Sequence, residues 1–183
     1  MSAAKKEASP VELAALLMDA VCTPADNEQT ALRELAAHLR VDEQLLQVEL
    51  MFLRAFSIDF ATIIALGESP ERTAILDQYY HHWEEIGRQT DEQIIDDLQQ
   101  HLAYYAQVVA EPGPQGGGSE GLVGQIGQAF ARRCQTAEEG QELALLGASM
   151  FSALFDEITD LYEGLTIVLL AEEDSADASP LAN

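Results

Sequence analysis

Apolar positions recur along this chain at helical spacing. Leu143, Met150, Leu154, Ile158, Leu161, Leu165 and Val168 follow one another in steps of three and four, with small Gly147 filling the one gap. Such steps place them on one face of an α-helix, a face that must be buried. The capping box Thr136-Ala-Glu-Glu139 supplies the start, because each polar side chain can bond a backbone N–H that a helix start leaves unpaired. No proline follows until Pro180. The pattern predicts a long C-terminal helix over 136–171, roughly 50 Å at 1.5 Å per residue.

Similar signals divide the chain upstream. Ser9-Pro-Val-Glu12 combines a serine cap, a proline in the first turn and a glutamate able to bond back, predicting a helix to about Val21. Thr23-Pro24 with Asp26 restarts the chain into a second helix ending near Leu39. A third helix is expected over 42–66, stopped by Gly67, and Ser69-Pro70 opens a fourth that runs to about Gly87. The fourth faces inward through Leu76, Tyr79, Trp83 and Ile86. Thr90-Asp-Glu-Gln93 reads as a second capping box, opening a fifth helix to Ala110 with Ile94, Leu98, Leu102, Tyr105 and Val109 inside. A capping box in mid-helix would have no unpaired donors to satisfy, so 87–90 predicts a turn rather than a kink. The Pro/Gly-rich run 111–119 is a loop, and a sixth helix occupies about 120–135.

The third helix differs from the rest. Between Leu50 and Leu66 it is apolar nearly all round, interrupted only by Arg54, Ser57, Asp59 and Thr62. A helix of that kind is surrounded by neighbours or by lipid. Its shortness and the charges inside it argue against lipid. The expected architecture is therefore an all-α bundle of about six or seven helices, with a buried central helix (42–66) and a long C-terminal one. One domain should span 9–171, with a subdivision into 9–110 and 119–171 left open at the loop. The tails 1–8 and 172–183 are expected to be disordered. No strand is predicted.

Charge narrows the partners. Thirty-two acidic residues against 9 basic ones give a formal charge of −23. That field repels phosphate backbones and anionic bilayers, so neither nucleic acid nor membrane is an expected partner, whereas cationic chains are favoured. Cys22 and Cys134 show no metal spacing, and the N-terminus has no signal-peptide pattern, so a cytoplasmic chain with two reduced, buried thiols is expected.

Candidate chemistry is sparse. His81, His82, Glu85, Asp97 and His101 are weak metal candidates: carboxylate-bridged sites in bundles need Glu-x-x-His on two helices, and only the reverse order occurs here, once. If helices four and five form a hairpin about 88–89, His81 faces Asp96 as a surface ion pair and the histidines do not converge. Asp59, Tyr80, Trp83, His101 and Tyr104 are candidates for a ligand or partner surface. Tyr80 and Tyr104 lie off the inward stripes, and Asp59 is a charge on the central helix. Glu49, Arg54 and Asp59 are spaced by five, so they point in different directions and require separate partners. Gly121, Gly124, Gly127 and Ala131 line one face of the sixth helix, where another backbone can approach closely. Asp156, Asp160 and Glu163 form an acidic stripe on the long helix.

Val48-Glu-Leu-Met-Phe52 resembles part of the motif of the cytoplasmic chaperones that escort molybdoenzymes, and size, acidity and helical content are similar to theirs. The Pro-x-Asp-His that precedes the motif in that family is replaced by Val41-Asp-Glu-Gln-Leu45. The resemblance is confined to 41–52 and transfers no functional residue. No catalytic spacing and no cofactor motif are present. The expected function is non-enzymatic and works through protein–protein contacts, as an adaptor, a chaperone-like protein or a self-associating one. The alternative is a bundle that binds a small ligand or a metal.

Overall fold

Helix punctuation acts largely where the sequence puts it. The computed structural model of this protein describes residues 5–23, 26–111, 119–134 and 140–169. Among them α1 (Pro10–Cys22) opens with both halves of the Ser9–Glu12 box formed: the Ser9 N–H donates to Glu12 Oε2 at 2.9 Å, and the Glu12 N–H to Ser9 Oγ at 3.3 Å. It is followed by α2 (Asp26–Leu39) and α3 (Glu43–Leu66), whose start is capped by the Asp42 carboxylate accepting from the Leu45 N–H at 2.9 Å. Gly67 ends α3 with φ +57°, in the left-handed region that an L side chain rarely enters. Ser69 caps α4 (Pro70–Gln89), and α5 (Gln93–Ala110), α6 (Ser119–Arg133) and α7 (Gly140–Gly164) complete an all-α bundle. No described helix is long and apolar enough to cross a membrane.

Four expectations are corrected. The Thr90 box does not form: the Thr90 hydroxyl donates back to the Ile86 carbonyl at 2.7 Å and closes α4, while Asp91 accepts from the Gln93 N–H at 3.0 Å at the start of α5. The long helix ends at Gly164, seven residues early, because glycine is a poor helix former and the residues after it include β-branched Thr166, Ile167 and Val168. Leu165–Ile167 becomes a strand, β2, paired in parallel with β1 (Lys6–Ala8), so part of the stretch expected to be a disordered tail is a strand tied to the far end of the chain. The buried stripe of α7 runs through Leu143, Gly147, Phe151, Leu154, Ile158 and Tyr162; Met150 and Leu161 flank it, and Val168 is exposed. The Thr136 box, most of the loop and the acidic tail lie outside the described residues.

Packing places α3 at the centre. It touches all six other helices. One side, with Phe52, Ala55, Ile58 and Ala61, joins α1, α4 and the end of α7. The other, with Leu46, Leu50, Leu53 and Phe56, joins α2, α6 and the beginning of α7. The α5 helix adds Leu98 to the first cluster and Tyr105 to the second. Helix α3 is thus the partition between two apolar clusters, which explains its lack of a polar face. Its ends are the exception: Val48 near the start and Ile63 and Ile64 in the last turn are exposed.

Candidate functional site

Glu49, Arg54 and Asp59 of α3 do point three ways, and each meets different company. Glu49, 4% exposed, is gripped by two helices. From α6, Arg133 donates through Nε to Glu49 Oε2 at 3.1 Å and through Nη2 to Oε1 at 3.0 Å, a bidentate fork. From α5, His101 brings Nε2 to 3.2 Å from Oε2, and Arg133 Nη2 also contacts His101 Nε2. Phe52 stacks on the imidazole with ring centres 4.1 Å apart, and the guanidinium lies over the Tyr104 ring at 5.7 Å. Burial alone would raise the Glu49 carboxyl; the hydrogen bonds from His101, in its imidazolium form, and from Arg133 outweigh it and hold the carboxyl below its ordinary range. Burial similarly opposes the charge on Arg133, and the bond to Glu49 wins, raising it.

Asp59 faces α4. Its Oδ1 accepts from the Tyr80 hydroxyl at 2.5 Å. Burial nevertheless pushes its carboxyl above the ordinary range, against the pull of Tyr80 and Arg72. Arg54 faces α1 and α2, lining a cavity of about 330 Å³ with Cys22, Gln29 and Gln47, and burial lowers its guanidinium. These charges are partnered parts of the framework.

The sequence candidates therefore fall into two groups. Asp59 and Tyr80 meet on one side; His101 and Tyr104 meet on the other, with Glu49 and Arg133. Between them Phe52 stacks on both His101 and Trp83, the latter at 6.3 Å. Trp83 is 1% exposed and belongs to the core. A cavity of about 320 Å³ between α4 and α5 is lined by Tyr80 and Trp83 but by neither Asp59 nor His101.

The histidines behave separately. His81 sits 3.7 Å from Glu84 and 3.6 Å from Glu85 on its own helix, which corrects the expected pair with Asp96. His82 lies 3.6 Å from Glu85. His101 donates from Nδ1 to the Asp97 backbone carbonyl at 2.6 Å, while the Asp97 carboxylate is held by Gln93. Among the described residues no three His, Cys, Asp or Glu side chains gather in a way that could hold a metal. Burial pushes the Cys134 thiol up to about 12 and raises Cys22 as well, so neither is a thiolate nucleophile at neutral pH. Cys134 is buried as expected, whereas Cys22 is exposed at the last turn of α1, which corrects the expectation of two buried thiols.

A larger concavity among the described residues arises where sequence reading had singled out only Gly124 and Asp156. Helices α6 and α7 make the most extensive helix contact, because Gly127 lies against the Ala144 carbonyl and Gly147 against Phe130. Of the small-residue face on α6, Gly127 and Ala131 are used in this way, whereas Gly124 faces open space. Beside this seam α3, α6 and α7 bound a groove of about 630 Å³. Its floor is aromatic: Phe60 stands 6.1 Å from Phe151 and 5.9 Å from Phe155, and Phe56 is 5.7 Å from Phe60. Leu122, Val123 and Gly124 form one wall, and Asp156 lies on the rim. Along the same helix Glu157, Asp160 and Glu163 are exposed, and α7 contains no lysine, arginine or histidine. The sequence signal for this site was the repeated phenylalanine: Phe56 and Phe60 on the all-apolar helix, and Phe151 and Phe155, one step off the stripe read as buried.

Compared with protein-family models, with curated proteins and with solved structures, the chain matches none.

Proposed function

We propose that this protein is a non-enzymatic binding protein that works by holding a segment of another polypeptide in the α3–α6–α7 groove. The observation that carries the reading is the pairing of an aromatic floor with a rim that is acidic and, along α7, free of cations. Apolar side chains entering the groove would cover Phe60 and Phe155, which are only half-buried. Cationic side chains on the segment's outer face would meet Asp156 and its neighbours in a field of net charge −23. The partner class is therefore an amphipathic, cationic segment, a mode in which apolar anchors fill the groove and charges set orientation.

A synthetic helical peptide with one leucine face and one lysine face is the direct probe, read by fluorescence anisotropy. Binding is expected to weaken about tenfold in Val123→Asn, a neutral change that removes apolar contact and leaves the field intact. Val11→Asn, on an exposed position of α1, should leave it unchanged. Equal binding by all three proteins would mean that the charge field alone attracts the peptide, and the groove assignment would fall. Binding of a small apolar dye such as anilinonaphthalene sulfonate without binding of the peptide would favour the ligand-binding alternative, since the volume lies in the range of small-molecule pockets.

A further inference from the structure

The contacts around His101 cannot all be satisfied in one protonation state. Its Nδ1 faces a backbone carbonyl at 2.6 Å, which can only accept, so Nδ1 carries a proton. In the neutral ring Nε2 then presents a lone pair. That lone pair can accept from Arg133 Nη2, but it stands beside the acceptor-only oxygens of Glu49, at 3.3 and 3.2 Å. In the imidazolium form Nε2 becomes a donor to Glu49 and repels Arg133. One proton therefore decides which of the two neighbours His101 bonds.

The burial of the three groups decides which one yields. His101 and Glu49 have side chains only 7% and 5% exposed, whereas the Arg133 side chain is 35% exposed. The guanidinium can exchange its place for water at far smaller cost than the other two. Arg133 is the last residue of α6, and its fork ties the end of that helix to α3, beside the packing of Phe130, Ala131 and Cys134.

We infer that Glu49, His101 and Arg133 form a proton-controlled latch on α6, closed when His101 is neutral and released when it is protonated. The other titratable groups facing this cluster are Tyr104 and Tyr105 on α5 and Cys134 on α6. Burial raises the Tyr105 hydroxyl and the Cys134 thiol, so neither changes charge where imidazoles do, between about pH 5 and 8. Because α6 forms one wall of the groove, release would alter the groove; the latch itself stands on the ion cluster and does not depend on what the groove binds.

Hydrogen exchange of the full-length chain, followed by mass spectrometry on peptides from α6 and from α1 as the internal reference, tests it. After correction for intrinsic exchange, protection of α6 relative to α1 is expected to fall on the order of tenfold between about pH 8 and pH 5.5. His101→Gln, whose amide oxygen can accept from Arg133 at every pH, should abolish that fall. Arg133→Lys, which keeps the charge and loses the fork, should show the low-pH behaviour already at pH 8. A flat wild-type profile overturns the inference, as does an undiminished fall in His101→Gln. Should that variant not fold, unchanged α6 protection in Arg133→Lys at pH 8 would overturn it equally.

Discussion

A buried carboxylate, Glu49, and a half-buried one, Asp59, on the same helix have opposite electrostatics, and their titrations should differ in sign. Glu49 is held below its ordinary range by His101 and Arg133. Its contribution is fully present above the unfolded value of about 4.3 and is lost as pH falls through the lower folded value. Glu49→Gln should therefore cost about 2 kcal/mol at pH 7, since it leaves Arg133 and His101 facing a neutral amide, and the wild-type and variant urea midpoints should converge at low pH. Asp59 is raised by burial, so its folded form takes up a proton before the unfolded chain does. Stability at that site grows as pH falls from neutrality through the raised value. Asp59→Asn, which keeps an acceptor for Tyr80, is expected to raise the urea midpoint at pH 7 by up to about 1 kcal/mol in stability, with the gain disappearing below about pH 4. A loss at pH 7 would show that the Tyr80 bond outweighs the burial cost. Both charges were legible in the sequence as exceptions on an apolar helix. Their partners were not, because Arg133 lies 84 residues from Glu49 and Tyr80 lies 21 from Asp59, on helices whose rotation the sequence does not fix.

At the scale of elements, the start of α1, the stop of α3 and the start of α4 follow from local chemistry, and the sequence located them. The Thr90 assignment failed because a threonine between two helices can serve either one, and here its hydroxyl bonds backwards. The seam between α6 and α7 supplies a paired prediction. A Cβ at Gly127 would lie 2.2 Å from the Ala144 carbonyl oxygen, a backbone atom that moves only with its helix. Gly127→Ala should thus destabilise by about 1–3 kcal/mol, as overpacking does. Gly124, one turn away, has no atom within 4 Å of the same position, and Gly124→Ala should stabilise by roughly 0.5–1 kcal/mol through helix propensity alone. Thermal or urea unfolding of the two variants distinguishes a packing seam from a generic small-residue face; equal effects would contradict the geometry. Sequence reading grouped the two glycines because they share a face, and only the neighbouring helix separates them.

For the whole molecule, a charge of −23 on 183 residues pushes the compact state apart. Raising sodium chloride from about 0.01 to about 1 M shortens the screening length from about 30 to about 3 Å, and the unfolding midpoint should rise by several degrees. Closure of the chain ends offers a second check. Lys6–Ala8 pair with Leu165–Ile167, and the Val168 N–H donates to the Ala8 carbonyl at 3.0 Å. Deleting residues 1–8 should lower the midpoint, whereas removal of a mere tail would leave it unchanged. Size-exclusion chromatography with light scattering separates the two protein-contact readings: a monomer is expected if the groove serves a different chain, and a dimer if it serves a second copy.

What the amino-acid order determined by itself was the helical class, the end of α3 at Gly67, the capped starts at Ser9 and Ser69, and the identity of α3 as the helix with no polar face. Each of these depends on residues within a turn or two of one another, where backbone geometry relates spacing to direction. The groove, the Glu49–His101–Arg133 cluster and the β1–β2 pair were decided only in the tertiary structure. They join positions separated by tens of residues, and which faces meet there depends on how each helix is rotated against its neighbours, a choice made by packing the two apolar clusters on either side of α3.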